Sequence, residues 1–177
     1  DLELDVKLTE LPFAVLLPAI TLPLFNNAIW LDGSLTSEIT VRGDAANPII
    51  TAVWDARIES GDAPKIEDTG SVDYRNKLLI IQNTQLTGHG NQLTRKGRIP
   101  INLAFQAIDL ADRFLDLPID IQIKGENVNL DFLALYTPQL EASQGIADVN
   151  IRIKGTTASP YLYGNLSVRD AMLKLPY

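Results

Sequence analysis

Ile119-Asp120-Ile121-Gln122-Ile123-Lys124 puts an apolar side chain at every second position and a polar or charged one between. A strand sends successive side chains to opposite faces, so this stretch has one dry face and one wet face. Nothing about it suits a helix, whose apolar positions recur every three or four residues.

The same period runs outward in both directions. Leu2, Leu4, Val6 and Leu8 alternate with Glu3, Asp5 and Lys7. Trp54, Ala56 and Ile58 alternate with Asp55, Arg57 and Glu59. Val149, Ile151 and Ile153 alternate with Asn150, Arg152 and Lys154. Strands with one wet face predict an antiparallel sheet rather than a parallel one buried on both sides. Helix is expected only in short pieces: two turns over 109–115, and one segment each over 130–136 and 11–17. The stretch from Gly61 to Gly70, with Pro64 and several charges, is expected to be a loop. The glycines at 33, 43, 70, 88, 90, 97, 125, 145, 155 and 164 are expected at turns or bulges.

An internal repeat reinforces the pattern. Gly33-Ser-Leu-Thr-Ser-Glu-Ile-Thr-Val-Arg-Gly43 leads to Pro48, and Gly145-Ile-Ala-Asp-Val-Asn-Ile-Arg-Ile-Lys-Gly155 leads to Pro160. Gly33 to Gly145, Gly43 to Gly155 and Pro48 to Pro160 are each 112 residues apart. Fixed-period similarity is the mark of stacked architectures, whose units bury their faces against neighbours. We therefore expect a single repeat-built β domain over residues 1–177, with units of about 1–112 and 113–177. Two such units leave sheet edges unpaired, which leads to the expectation that the chain is a piece of a longer protein.

Composition excludes several function classes. The 177 residues carry a net charge of −7, which disfavours nucleic acid and anionic membrane surfaces as main ligands. There is no cysteine, so disulfides, zinc–thiolate sites and thiol nucleophiles are ruled out. The greasiest stretch, 11–25, is interrupted by Pro12, Pro18 and Pro23 and is shorter than the roughly 20 residues a bilayer needs. His89 is the single histidine, and it sits in a Gly88-His89-Gly90 turn, where an ordinary exposed role is expected. No nucleophile elbow, phosphate loop or EF-hand loop occurs. Asp109, Asp112 and Asp116 read as a solvated face, and Arg95, Lys96 and Arg98 as a charged turn, the alternative being a contact with a phosphate headgroup. Asn165-Leu166-Ser167 is a glycosylation triplet inside an expected strand. We accordingly expect no catalytic residue, cofactor or metal site.

The frame from Gly145 to Pro176 carries a further likeness. Ile151-Arg-Ile-Lys-Gly-Thr-Thr-Ala-Ser-Pro160 runs into Leu162-Tyr-Gly-Asn-Leu-Ser-Val-Arg-Asp-Ala171, an alternating strand, Gly-Thr, a small residue and Pro, then Gly and another alternating strand. The order resembles the C-terminal region of the TamB family (translocation and assembly module), within the AsmA-like bridge-like proteins. Leu78 to Ile101, with Gly88, Gly90 and Gly97, is similar to the family's strand, glycine turn, strand units. The first repeat departs from the pattern, with Ala52 where the second has Gly164.

The resemblance implies an all-β fold: an antiparallel-type sheet curled lengthwise into a half-pipe, or β-taco, with an apolar interior. It also implies a function. Family members are anchored in the inner membrane and cross the periplasm of diderm bacteria. They are linked to outer-membrane protein insertion with an Omp85-type partner and to phospholipid movement, and a plant relative serves protein import at the chloroplast envelope. On that basis the groove candidates, chosen by alternation, are Trp54, Ala56, Ile58, Ile99, Ile101, Leu103, Phe105, Ile119, Ile121, Ile123, Ile151, Ile153, Leu166 and Val168. The expected cargo is phospholipid or an unfolded β-barrel outer-membrane protein. Alternation is equally compatible with a closed β-sandwich serving as a structural or adhesion module.

Overall fold

A computed structural model describes residues 1–12, 32–59, 65–88, 90–131 and 140–175. Among these the chain forms one sheet of nine antiparallel strands in strict sequence order, each bonded only to its neighbours in the chain. The strands are β1 (Leu2–Pro12), β2 (Asp32–Gly43), β3 (Pro48–Glu59), β4 (Ile66–Arg75), β5 (Leu78–Gly88), β6 (Asn91–Pro100), β7 (Pro118–Asn129), β8 (Ala142–Thr156) and β9 (Pro160–Lys174). The fold is all-β and antiparallel, as the alternation and the resemblance both imply. Among the described residues one four-residue helix, α1 (Leu110–Arg113), interrupts it.

The repeat appears in the fold as two hairpins with matching register. Gly43 pairs with Pro48 and Gly155 with Pro160, and both glycines have φ of +96°. The match continues inward: Ile39 faces Ala52 as Ile151 faces Gly164, and Leu35 faces Ala56 as Ala147 faces Val168. It ends where β8 slips register between Gln144 and Ile146.

Several local expectations are corrected. The helix expected over 109–115 makes one turn only. Leu11 and Pro12 belong to β1 rather than to a helix, while 13–17 and most of the segment expected over 130–136 lie outside the described residues, as does His89. The loop expected from Gly61 to Gly70 gives way to strand β4 at Ile66; Gly61 lies outside the described residues. Gly70, Gly97 and Gly125 fall inside strands rather than at turns, with Gly70 and Gly125 at register shifts that fit the expected bulges. Arg95, Lys96 and Arg98 stand in β6 and not in a turn.

Ile99 to Phe105 alternates like a strand, yet β6 stops at Pro100, whose ring leaves no N–H for the ladder. Ile101 forms only an isolated bridge with Phe114. Residues 101–117 instead cross one end of the sheet and tie its turns together. Phe105 N–H donates to the Ala45 carbonyl at 2.8 Å, and Ile101 N–H to that of Lys77 at 2.9 Å. The Thr157 hydroxyl donates to the Leu115 carbonyl at 2.5 Å. Arg113 braces the crossing by donating to the carbonyls of Asn102 and Ala104. Tyr74 lies beneath it, 2% exposed, with its hydroxyl accepting from Leu103 N–H at 2.8 Å.

Candidate functional site

Register decides which side chains share a face. Following the ladder partners across the sheet gives one continuous row: Val6, Ile39, Ala52, Val72, Ile81, Gly97, Ile121, Ile153, Leu162. Except for Gly97, every member is apolar, and the row touches all nine strands. A second row on the same face runs Leu11, Leu35, Ala56, Asp68, Leu86, Leu93, Gly125, Val149, Leu166. We call this the inner face.

Of the alternation-based groove candidates, Trp54, Ala56, Ile58, Ile99, Ile119, Ile121, Ile123, Ile151, Ile153, Leu166 and Val168 stand on it. The structure does not bring Ile101, Leu103 and Phe105 there, because they follow the end of β6 in the crossing segment. Phe105 is 58% exposed. The candidate set omitted Leu35, Ile39, Val72, Ile81, Leu93 and Val149, which the ladder adds. The same alternation carries them: Leu35, Ile39, Val72, Leu93 and Val149 stand in phase with their strands, and only Ile81 adjoins a bulge of its own strand.

The inner face is only partly sheltered. Trp54, Ile121, Ile123, Ile151 and Ile153 are half-buried, and Ala56 and Ile119 are buried. Toward the two edges it opens further, with Leu4 on β1 53% exposed and Leu162 on β9 66% exposed. Among the described residues no second sheet lies over it; the sheet is one. A fully packed core would leave such side chains almost wholly buried.

At the centre, glycine allows large groups to converge. A methyl group on Gly70 of β4 would lie 2.6 Å from Trp54 Cζ2 of β3 and 2.6 Å from Thr84 Cγ2 of β5. Side chains from both flanking strands thus lean over a position with no side chain of its own. The hollow beside them has a volume of about 240 Å³ and is walled by Trp54, Val72, Ile81, Ile121 and Ile123. Arg95 and Asp68 also reach this hollow. Their carboxylate and guanidinium form an ion pair across β5, although two charges on an apolar face are costly to desolvate.

The outer face is the polar one. Lys7 pairs with Glu38 at 2.8 Å and Arg42 with Asp5 at 2.9 Å. Arg152 grips Asp120 through two bonds of 2.6 Å. That grip holds the Asp120 carboxyl below its ordinary value. Asp148 is lowered as well, first by the Asn127 N–H and then by Arg169. A depression of about 350 Å³ opens here around Leu78, Ile80 and Arg98, and its charged pair is Asp120 with Arg152.

Among the described residues no group of three or more His, Asp or Glu side chains could hold a metal ion. None of the described helices is long and apolar enough to cross a membrane. In comparison with known proteins, the chain matches no family model, no curated protein and no solved structure.

Proposed function

We propose that the inner face is a trough that carries greasy cargo, in a segment of a TamB-like envelope protein. The observation that carries this reading is the unbroken row from Val6 to Leu162, apolar at every position with a side chain and only half covered. Moving an acyl chain through water costs about 0.8 kcal/mol per methylene, so about 16 carbons face on the order of 12 kcal/mol. A continuous apolar surface offsets most of that cost, while the charged outer face keeps the sheet in water.

On this reading the cargo is phospholipid or a nascent outer-membrane protein, guided between inner and outer membranes. The setting is the periplasm, with an anchor in the inner membrane and an Omp85-type partner at the outer one. These assignments rest on the resemblance of the Gly145–Pro176 frame. The alternative, an adhesion module built as a closed sandwich, finds less support, because it needs a second layer and the described strands make one sheet.

The test is direct. Chain purified without detergent is extracted with organic solvent, and the extract is assayed for phospholipid. A photocrosslinking side chain placed at Ile121 or Ile153 should label acyl chains, whereas one at Gln122, on the outer face, should not. Dry protein, or equal labelling from both faces, overturns the reading.

A further inference from the structure

The charged pair inside the trough is the feature that cargo carriage by apolar surface leaves unexplained. Every other ion pair with both partners in strands of known register, from Lys7–Glu38 to Arg169–Asp148, stands on the outer face. Arg95 and Asp68 alone among these stand on the inner one: Arg95 lies in register between Thr84 and Ile123, and Asp68 between Ala56 and Leu86. The neighbouring Thr84 is 3% exposed and spends its hydroxyl on the Arg95 carbonyl at 2.6 Å.

Arg95 is under-used in this setting. A guanidinium offers five N–H donors in a fixed fork. Nη2 meets Asp68, but Nε is buried and has no partner among the described residues. A buried donor left unpaired is unfavourable, and a native structure that keeps one calls for an explanation. The contrast with Arg152 is instructive, since that side chain places both Nε and Nη2 on Asp120. Around Arg95 the walls are apolar on several sides, through Trp54, Ile81, Ile121 and Ile123. The Arg95 side chain keeps 34% of its surface exposed, so the hollow joins an under-used cation to a surface suited to methylenes.

We propose that Arg95 is a headgroup-binding point in the trough, which receives the terminal oxyanion of an acyl amphiphile while its tail lies on the inner face. Asp68 holds the guanidinium in place and competes with the ligand for it. This proposal rests on the trough reading and deepens it by naming the ligand class, a long-chain molecule ending in a carboxylate or phosphate. Charge complementarity selects that occupant over a neutral lipid or an uncharged peptide strand, neither of which brings an oxyanion to the guanidinium.

The experiment uses the 177-residue chain and displacement of the fluorescent apolar probe N-phenyl-1-naphthylamine. Dodecanoate and dodecanol share a tail and differ in the head. The expected result is that Arg95→Gln weakens dodecanoate on the order of 10-fold, as loss of a charge-assisted hydrogen bond does, and leaves dodecanol within about 2-fold. Asp68→Asn, which frees the guanidinium, should tighten dodecanoate. A merely structural ion pair would instead weaken both ligands alike in both variants. Should Arg95→Gln alone fail to fold by circular dichroism, the neutral double variant Asp68→Asn/Arg95→Gln carries the same comparison. Equal effects on the two ligands overturn the headgroup assignment and leave the trough standing. Failure of both ligands to displace the probe from the unmodified chain overturns the trough and the assignment with it, whereas displacement by dodecanol alone overturns only the assignment. Competition by excess acetate would show a site for free oxyanions, and that too overturns the amphiphile reading.

Discussion

Two residues show how single positions shape the inner face. Tyr74 is buried under the crossing segment, and its hydroxyl is the acceptor for Leu103 N–H. Tyr74→Phe leaves that donor without its partner, and an expected loss of about 1–3 kcal/mol should appear in urea unfolding. Gly70 has no room for a side chain, because the Trp54 ring and the Thr84 methyl occupy the space above it. Gly70→Val is expected to destabilise by about 1–3 kcal/mol through overpacking, with a change in tryptophan emission as the Trp54 ring is displaced. Neither role could be read from sequence, since a contact between β3 and β5 over β4 depends on curvature and register. Arg95 was read as part of a charged turn because Lys96 and Arg98 crowd with it around Gly97; it stands in β6 in the same phase as Leu93 and Ile99, which puts it on the inner face.

At the scale of elements, alternation was a dependable guide wherever it ran without proline or bulge. β3, β7 as far as Gly125 and β8 from Ile146 onward follow their sequence period, and the 112-residue repeat maps onto two hairpins with matching partners. It misled at Ile99 to Phe105, where Pro100 ends the ladder although the pattern continues, and at Gly61 to Gly70, where strand begins within expected loop. The strand β9 has a different vulnerability. All fifteen of its residues are exposed, among them Leu162, Leu166 and Leu173. A long apolar edge strand with a row of unpaired backbone groups is an aggregation template, and an inward-pointing lysine blunts it. Leu162→Lys is expected to lower the light scattering of concentrated chain. Its unfolding midpoint should stay within about 0.5 kcal/mol of the original, because the side chain is already 66% exposed.

For the molecule as a whole, the outer face governs the response to acid. Asp120 and Asp148 titrate below the ordinary 3.8 in the folded chain. A carboxylate depressed by folding adds stability that is fully present above its unfolded value and is lost as pH falls through its folded one. The urea midpoint is therefore expected to stay flat from about pH 7 to 5 as far as these groups go, and to drop below about pH 4. Asp120→Asn should make that drop shallower by removing one of the groups. A steep loss between pH 7 and 6 would point to another titrating group. Exposed pairs of this kind add little each, so their main service is to keep the sheet's back wetted.

The strictly sequential pairing has one more consequence. Each hairpin enters the sheet beside the one before it and leaves the chain heading in its original direction. A block of two strands can therefore be inserted, or removed, without reversing any other strand or turning any side chain to the opposite surface. Gene duplication could lengthen such a protein by whole hairpins, with every added copy inheriting the right handedness and the right lining at once.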